Sequence, residues 1–166
     1  MADTTVERAL FAEVMTAFPT GVTVVTTIEA RGEPVGLTSN AVSSVSADPP
    51  MLLVCVAKTS RTLPALLENG GYLVNFMAAG SEGICAAFAS KAPSSEKFAG
   101  VRWRSTPSGR PYLYADTVAY ADCELEDEIV AGSHVILVGR VIDAGVSLPA
   151  RAPLAYFRRA YGIWAA

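Results

Sequence analysis

Three stretches of this sequence gather polar side chains in patterns that suit a ligand rich in hydrogen-bond acceptors and phosphate. The first, Gly36 to Ser46, reads GLTSNAVSSVS and sets five hydroxyls (Thr38, Ser39, Ser43, Ser44, Ser46) and one amide (Asn40) among small residues. Such a run can hold a polar ligand, although a Ser-rich edge strand that bonds to its own backbone has the same composition. The second, Lys58-Thr59-Ser60-Arg61-Thr62, follows an apolar strand and opens a helix, so backbone amides, hydroxyls and two cations converge as a phosphate requires. An ordinary helix cap with solvated cations explains it equally, and the glycine spacing of the phosphate loops and dinucleotide fingerprints is absent. The third, Tyr156-Phe157-Arg158-Arg159-Ala160-Tyr161, combines aromatic faces with guanidinium groups. These can stack on and grip a dinucleotide, or pack on the domain and a partner subunit. His134 is the only histidine, set in AGSHV between two strands. It can donate a proton or act as a cation near neutral pH, while a turn histidine more often simply faces water.

The elements that must position these residues read mainly as strands. Val6, Leu10, Val14 and Phe18, with Phe11 and Met15 beside them, share one helical face, with Asp3, Thr4 or Thr5 as caps and an end near Pro19. Gly21 to Ile28 is a β-branched strand, and after the turn ARGEP a second extended segment, VGLTSNAVSSVS, completes a hairpin. Asp48-Pro49-Pro50 interrupts it before the buried strand MLLVCVA. Ser60 or Thr62 caps a short helix on Leu63, Leu66 and Leu67 that stops at Asn69-Gly70-Gly71, and Tyr72 to Met77 returns as a strand. Ser81 and Glu82 open a second helix before the loop KAPSSEKFAG. Thr117 to Glu126 alternates, with Ala119, Ala121, Cys123 and Leu125 facing inward and Asp122, Glu124 and Glu126 facing solvent. Gly132-Ser133-His134 turns into a last apolar strand, Val135 to Val141, and the aromatic, basic tail follows. This order describes a small, mainly antiparallel β barrel with peripheral helices.

Composition excludes several classes. The 166 residues suit one domain, and 51% hydrophobic against 17% charged residues leaves apolar surface for a dimer or larger oligomer to cover. A net charge of −3 with 13 scattered Lys and Arg gives no footprint for nucleic acid. No run is long enough to cross a bilayer and MADTTVERAL is no secretory leader, so a cytoplasmic location without membrane contact is expected. Cys55, Cys85 and Cys123 lie far apart and read as free thiols. With one histidine they form no zinc cluster, and without a G-x-S-x-G elbow no serine stands out as a nucleophile.

In order and spacing, and over nearly the whole chain, the segments FPTGVTVVTT, GLTSNAVSSVSADPPMLLVCVAKTSRT, YLVNFM, FAS, EKFAG, AGSHVILVGRV and PLAYFRRAYG resemble the flavin reductase-like family. The resemblance is to the short-chain reductases that serve two-component flavin-dependent monooxygenases acting on phenols and 4-hydroxyphenylacetate. It implies one domain over residues 1–166: mainly β with α additions, a split β-barrel of antiparallel, Greek-key type, dimeric, with FMN or FAD bound between subunits. It further implies hydride transfer from NADH or NADPH to the flavin, and passage of the reduced flavin to a separate monooxygenase. Residue by residue, Thr38, Ser39, Asn40 and Ala41 match the positions beside the isoalloxazine, and Ser43, Ser44, Val45 and Ser46 those near the ring and ribityl chain. Cys55, Val56, Ala57, Lys58, Thr59 and Ser60 match the stretch along the phosphate. Phe88, Ser90, Lys91 and Lys97 match the segment that reaches the phosphate or the adenylate of FAD. His134, Tyr156, Arg158, Arg159 and Tyr161 match the nicotinamide coenzyme region, with His134 in the catalytic role. The sequence departs from the family where Ser133 stands for a frequent Asp or Glu and Arg159 for a frequent Gly. A flavoprotein that keeps its flavin for another small-molecule reaction, and a flavin-binding subunit without turnover, are the competing readings of the same barrel.

Overall fold

The computed structural model describes residues 6–147 and 149–164; the caps expected at Asp3, Thr4 or Thr5 lie outside them. Helix α1 (Arg8–Thr16) leads into β1 (Thr20–Gly21), β2 (Thr23–Ile28), β3 (Pro34–Ser39), β4 (Val42–Ala47) and β5 (Pro50–Ala57). Then come α2 (Leu63–Asn69), β6 (Gly71–Met77), α3 (Glu82–Ala89) and α4 (Ser94–Phe98). The remainder is β7 (Arg104–Ser105), β8 (Pro111–Tyr112), β9 (Thr117–Ala131), β10 (His134–Val146), β11 (Leu154–Phe157) and β12 (Ala160–Ile163). The fold is mainly β with a few helices.

Seven strands form one antiparallel sheet in the order β3-β2-β6-β9-β10-β5-β4, so β3 and β4, consecutive in sequence, lie at opposite edges. In a flat sheet six interstrand spacings would hold those edges about 29 Å apart. Residues 40 and 41 alone join them, a link of only about 11 Å when extended. The sheet therefore curls until its edges approach, and the Cys55 amide, which donates to the Ala41 carbonyl at 2.9 Å, continues the β4–β5 ladder up to the two-residue link. No ladder joins β3 to β4 among the described residues. The extended segment expected over VGLTSNAVSSVS is thus two strands with a break at Asn40-Ala41, because one chain serves both edges of the curl.

The curl encloses a core of Val25, Val54, Val56, Leu66, Tyr72, Val74, Cys123 and Leu137, closed at one end by α2. On the outer face of β2, Val22, Val24 and Met77 pack under Cys85, Phe88 and Phe98 from α3 and α4. Both faces of β2 are therefore covered, which explains its continuous apolar and Thr sequence where an alternating one would suit a half-solvated strand. Gly36 admits α3 onto β3, since a Cβ there would sit 2.9 Å from the Phe88 ring and from the Val25 carbonyl oxygen.

Other expectations change in detail. KAPSSEKFAG is not all loop but contains α4, whose Phe98 meets the Phe88 ring edge-on at 4.9 Å between centroids. Thr62 stands at the start of α2 without capping it, its hydroxyl donating instead to the Gly36 carbonyl. Asp122 does not face solvent: it is fully buried and paired with Arg110, which the turn after β7 folds across the sheet. The strand expected over Val135 to Val141 extends from His134 to Val146 and is not the last. The tail forms the hairpin β11–β12, with β11 paired to β1. The apolar residues of α1 share a face, but that face lies open to solvent.

Candidate functional site

The segment from Leu37 to Ser44 contributes to the lining of three hollows, the second and third of which share Phe18 and Asn40. The first, about 390 Å³, is lined by Leu37 and Thr38 of β3, by Thr59, Ser60, Arg61 and Thr62 between β5 and α2, and by Phe88, Ala89, Ser90, Lys91 and Lys97 from α3 through α4. Three cations and several hydroxyls meet here, and no carboxylate lines the cavity. Lys97 Nζ donates to the Phe88 carbonyl at 3.1 Å, and Arg61 donates to the carbonyl of Lys91, fastening the loop before α4 to the start of α2. Burial, and then the nearby Arg61 charge, hold the Lys97 ammonium below its ordinary pKa. An anion placed among these groups relieves that penalty, so the residues present fit a phosphate.

The second hollow, about 440 Å³, is largely apolar: Phe18, Pro19, Gly21, Val42, Leu52 and Phe76 form its walls, with Thr20, Thr23, Asn40, Ser43 and Ser44 as polar points. Asn40 Nδ2 donates to the Thr20 hydroxyl at 3.2 Å. A mainly apolar hollow with a few polar groups, linked along Leu37 to Ser44 to a cationic one, suits a flat ring attached to a phosphorylated chain. The third, about 330 Å³, shares Phe18 and Asn40 with the second and is closed by Met15, Thr16, Tyr156, Phe157, Arg158 and Arg159.

The structure thus brings Thr38, Thr59, Ser60, Phe88, Ser90, Lys91 and Lys97 together in the first hollow, and Asn40, Ser43 and Ser44 together in the second. Arg61, Thr62 and Leu37 complete the cationic hollow although they are not among the site residues that the resemblance implies; Arg61 and Thr62 already stood in the polar cluster that opens the helix. Several hydroxyls have local work. Ser39 Oγ accepts from the Ala41 amide, Ser43 Oγ donates to the Ser44 carbonyl, and Ser46 Oγ accepts from the Asp48 amide. Thr38 donates to the Cys85 carbonyl at 2.6 Å, leaving its oxygen free to accept. Val45 sits at a bulge in β4, half exposed. Val56 lies in the core, whereas Cys55 and Ala57 are half-buried on β5 and Lys58 is exposed. Burial raises the Cys55 thiol pKa and, as the largest of several causes, pushes Cys85 up to about 11, so neither offers a thiolate near neutral pH.

His134 is exposed at the mouth of the β9–β10 hairpin, its Nδ1 3.0 Å from the Ser133 hydroxyl. It lies opposite Ala57 in register, and the Lys58 amide donates to the Ser133 carbonyl at 3.0 Å. The histidine therefore belongs with the end of β5 and not with the tail, whose hollows it does not line. Tyr156 and Tyr161 face each other across β11–β12 with ring centroids 5.5 Å apart.

Known proteins give this geometry a context. Residues 15–165 match the family described as flavin reductase like domain. A flavin reductase (NADH) of Kitasatospora aureofaciens is 45% identical over 96% of this chain and 83% of its own length. The reductase subunit of a flavin-dependent monooxygenase from Rhodococcus jostii is 38% identical over 91% of this chain and 75% of its own. An NADH:FAD oxidoreductase of Streptomyces globisporus, solved with NAD and FAD fragments, superposes with a TM-score of 0.87 at 33% identity, covering 96% of this chain and 93% of that one. A family match across residues 15–165, with a relative 45% identical over nearly the whole chain, makes this protein a member of the flavin reductase-like domain family.

Proposed function

We propose that the protein is an NAD(P)H:flavin oxidoreductase that reduces FMN or FAD and delivers the reduced flavin to a separate monooxygenase. The observation that carries this reading is that one short segment, Leu37 to Ser44, lines a cationic hollow, then an apolar one, and through Asn40 an arginine-lined third. The flavin supplies the hydride-accepting chemistry, and the chain supplies binding and orientation. Lys91, Lys97 and Arg61 neutralise the phosphate, Asn40, Ser43 and Ser44 fix the ring edge, and the tail holds the coenzyme. The family resemblance assigns His134 to orienting the nicotinamide, although in this chain it stands beside the end of β5 and lines none of these hollows. The curl that joins β3 to β4 by two residues supports a split barrel of Greek-key type over a single domain.

Steady-state oxidation of NADH and NADPH, each with FMN, FAD and riboflavin, tests the activity. Saturable oxidation that depends on added flavin is expected, with His134→Ala losing turnover far more than stability. A stimulating substrate other than flavin would identify a flavoprotein that keeps its cofactor, and no oxidation with any flavin would identify a binding subunit.

A homodimer completes the same reading. Helix α1 has nine residues, none buried, and Leu10, Phe11, Val14 and Phe18 are each more than half exposed. A helix this short gains little stability alone, so its apolar face requires a covering surface. Phe18 also lines two of the hollows, so a second copy seated on α1 roofs the site. Leu10→Glu with Phe11→Glu should halve the mass seen by sedimentation equilibrium and raise the KM for flavin; an unchanged mass would place the interface elsewhere. No helix among the described residues is long and apolar enough to cross a membrane, and we place the protein in the cytoplasm.

A further inference from the structure

The turn between β11 and β12 has only two residues, Arg158 and Arg159, and both take the left-handed backbone, with φ of 47° and 63°. A two-residue hairpin loop demands that conformation, and Asn or Gly adopts it with far less strain than a long side chain. The turn is anchored to the end of α1 by the Arg158 amide, which donates to the Thr16 carbonyl at 3.0 Å. Strain retained where relief needs a single substitution points to a use for the side chains.

Both arginines line the third hollow and also a further one of about 600 Å³, formed with Ala9, Glu13, Thr16 and Ala17. The third hollow touches Asn40 and Phe18; the further one touches neither, so it lies one step beyond the ring-sized space. Glu13 is the only carboxylate on either lining, and two arginines against one glutamate leave a net charge of +1. The salt bridges among the described residues involve Arg110 and Arg140 only, and Arg158 lies over the Phe157 ring with Cζ 5.2 Å from its centroid, which leaves Arg159 the freer of the two for a ligand.

We propose that Arg158 and Arg159 select the coenzyme, taking the 2′-phosphate of NADPH in the outer hollow, with Arg159 the residue that decides between NADPH and NADH. This rests on the reading that the tail holds the coenzyme. A phosphate monoester dianion at the adenosine end matches two adjacent guanidinium groups, whereas the ribose hydroxyl of NADH offers them no charge.

Arg159→Gly supplies a test in which stability and binding move in opposite directions. The ratio of kcat/KM for NADPH to that for NADH should fall on the order of tenfold, the loss of one charge-assisted hydrogen bond, and should fall through KM with kcat largely kept. Relief of strain should raise Tm by roughly 2–4 °C, which separates weaker binding from unfolding. Arg159→Asn, which also tolerates the turn, should repeat the loss. In the wild type, 2′,5′-ADP should compete with NADPH on the order of tenfold more strongly than ADP, and the Arg159→Gly variant should lose that difference. If both coenzymes weaken by the same factor, the arginines grip the shared pyrophosphate and the selection proposed here is overturned. If neither coenzyme's KM changes while flavin-dependent turnover persists, the tail does not hold the coenzyme and the reading beneath the proposal fails instead.

Discussion

Replacing Lys91 and Lys97 together with alanine should lower kcat/KM for FMN and FAD about a hundredfold relative to riboflavin, which has the same ring and no phosphate. The two ammonium groups share one hollow with Arg61 and face no carboxylate on its lining. Each charge-assisted hydrogen bond is worth about 1.5–3 kcal/mol, so two at the lower end give about 3 kcal/mol and about two orders of magnitude. Lys97 carries the larger share, being half-buried where Lys91 is exposed. Its depressed pKa adds a second readout. The protonated amine binds phosphate, so affinity for FMN holds at low pH and falls as pH rises through a value below that of an ordinary lysine. Lys97→Arg keeps its charge and should move that fall to higher pH, while riboflavin shows no matching step. An equal loss for riboflavin would mean that the hollow does not read the phosphate, and an identical pH profile for Lys97→Arg would assign the titration to another group.

The sequence shows the parts of this site more readily than their arrangement. The run TVVTTI announces a strand covered on both faces, because β-branched and apolar residues without alternation need cover, whereas MLLVCVA reads the same way although only Leu52, Val54 and Val56 are buried and its other face is half-open. Nothing in VGLTSNAVSSVS announces that its two halves lie at opposite sheet edges, because that depends on which strands intervene between β3 and β4. Lys97 and Phe88 look like unrelated helix and loop residues until Gly36 lets α3 settle against β3 and carries both to Thr38. Alternation in Thr117 to Glu126 correctly sorts side chains onto two faces but cannot show that Arg110 covers one of them. The tail hides its hairpin for a different reason: Arg-Arg violates the Asn-Gly preference by which such turns are recognised. Local rules fail there at the residues we propose for the coenzyme, the kind of place where function is expected to outweigh local propensity.

Asp122→Ala should destabilise the fold by about 3–5 kcal/mol, a large share of the total stability of a domain of this size, without altering the flavin site. The carboxylate is fully buried and accepts three hydrogen bonds: from Arg110 Nη1 at 2.7 Å, Thr106 Oγ1 at 2.6 Å and Ser108 Oγ at 2.6 Å. Removing it leaves the Arg110 guanidinium buried against Gly71, where even a Cβ would meet Nη2, with only the Asn69 side chain as an uncharged partner at 2.9 Å. An uncompensated charge in that position costs more than the pair itself contributes, so Arg110→Met with Asp122→Leu should cost less than Asp122→Ala alone. Urea titrations of the three proteins give the comparison, and a loss below about 1 kcal/mol for Asp122→Ala would show that the pair is solvated in solution. Asp122 stands opposite Leu73 of β6 and Asp143 of β10, in the middle of the sheet, and lines none of the flavin or coenzyme hollows. At a temperature where the variant stays folded, its KM for flavin should therefore lie within about twofold of wild type, because additivity holds between sites that share no partner. A coupled rise in KM would mean that the ion pair sets the curl of the sheet, and through it the spacing between Thr38 and Lys97.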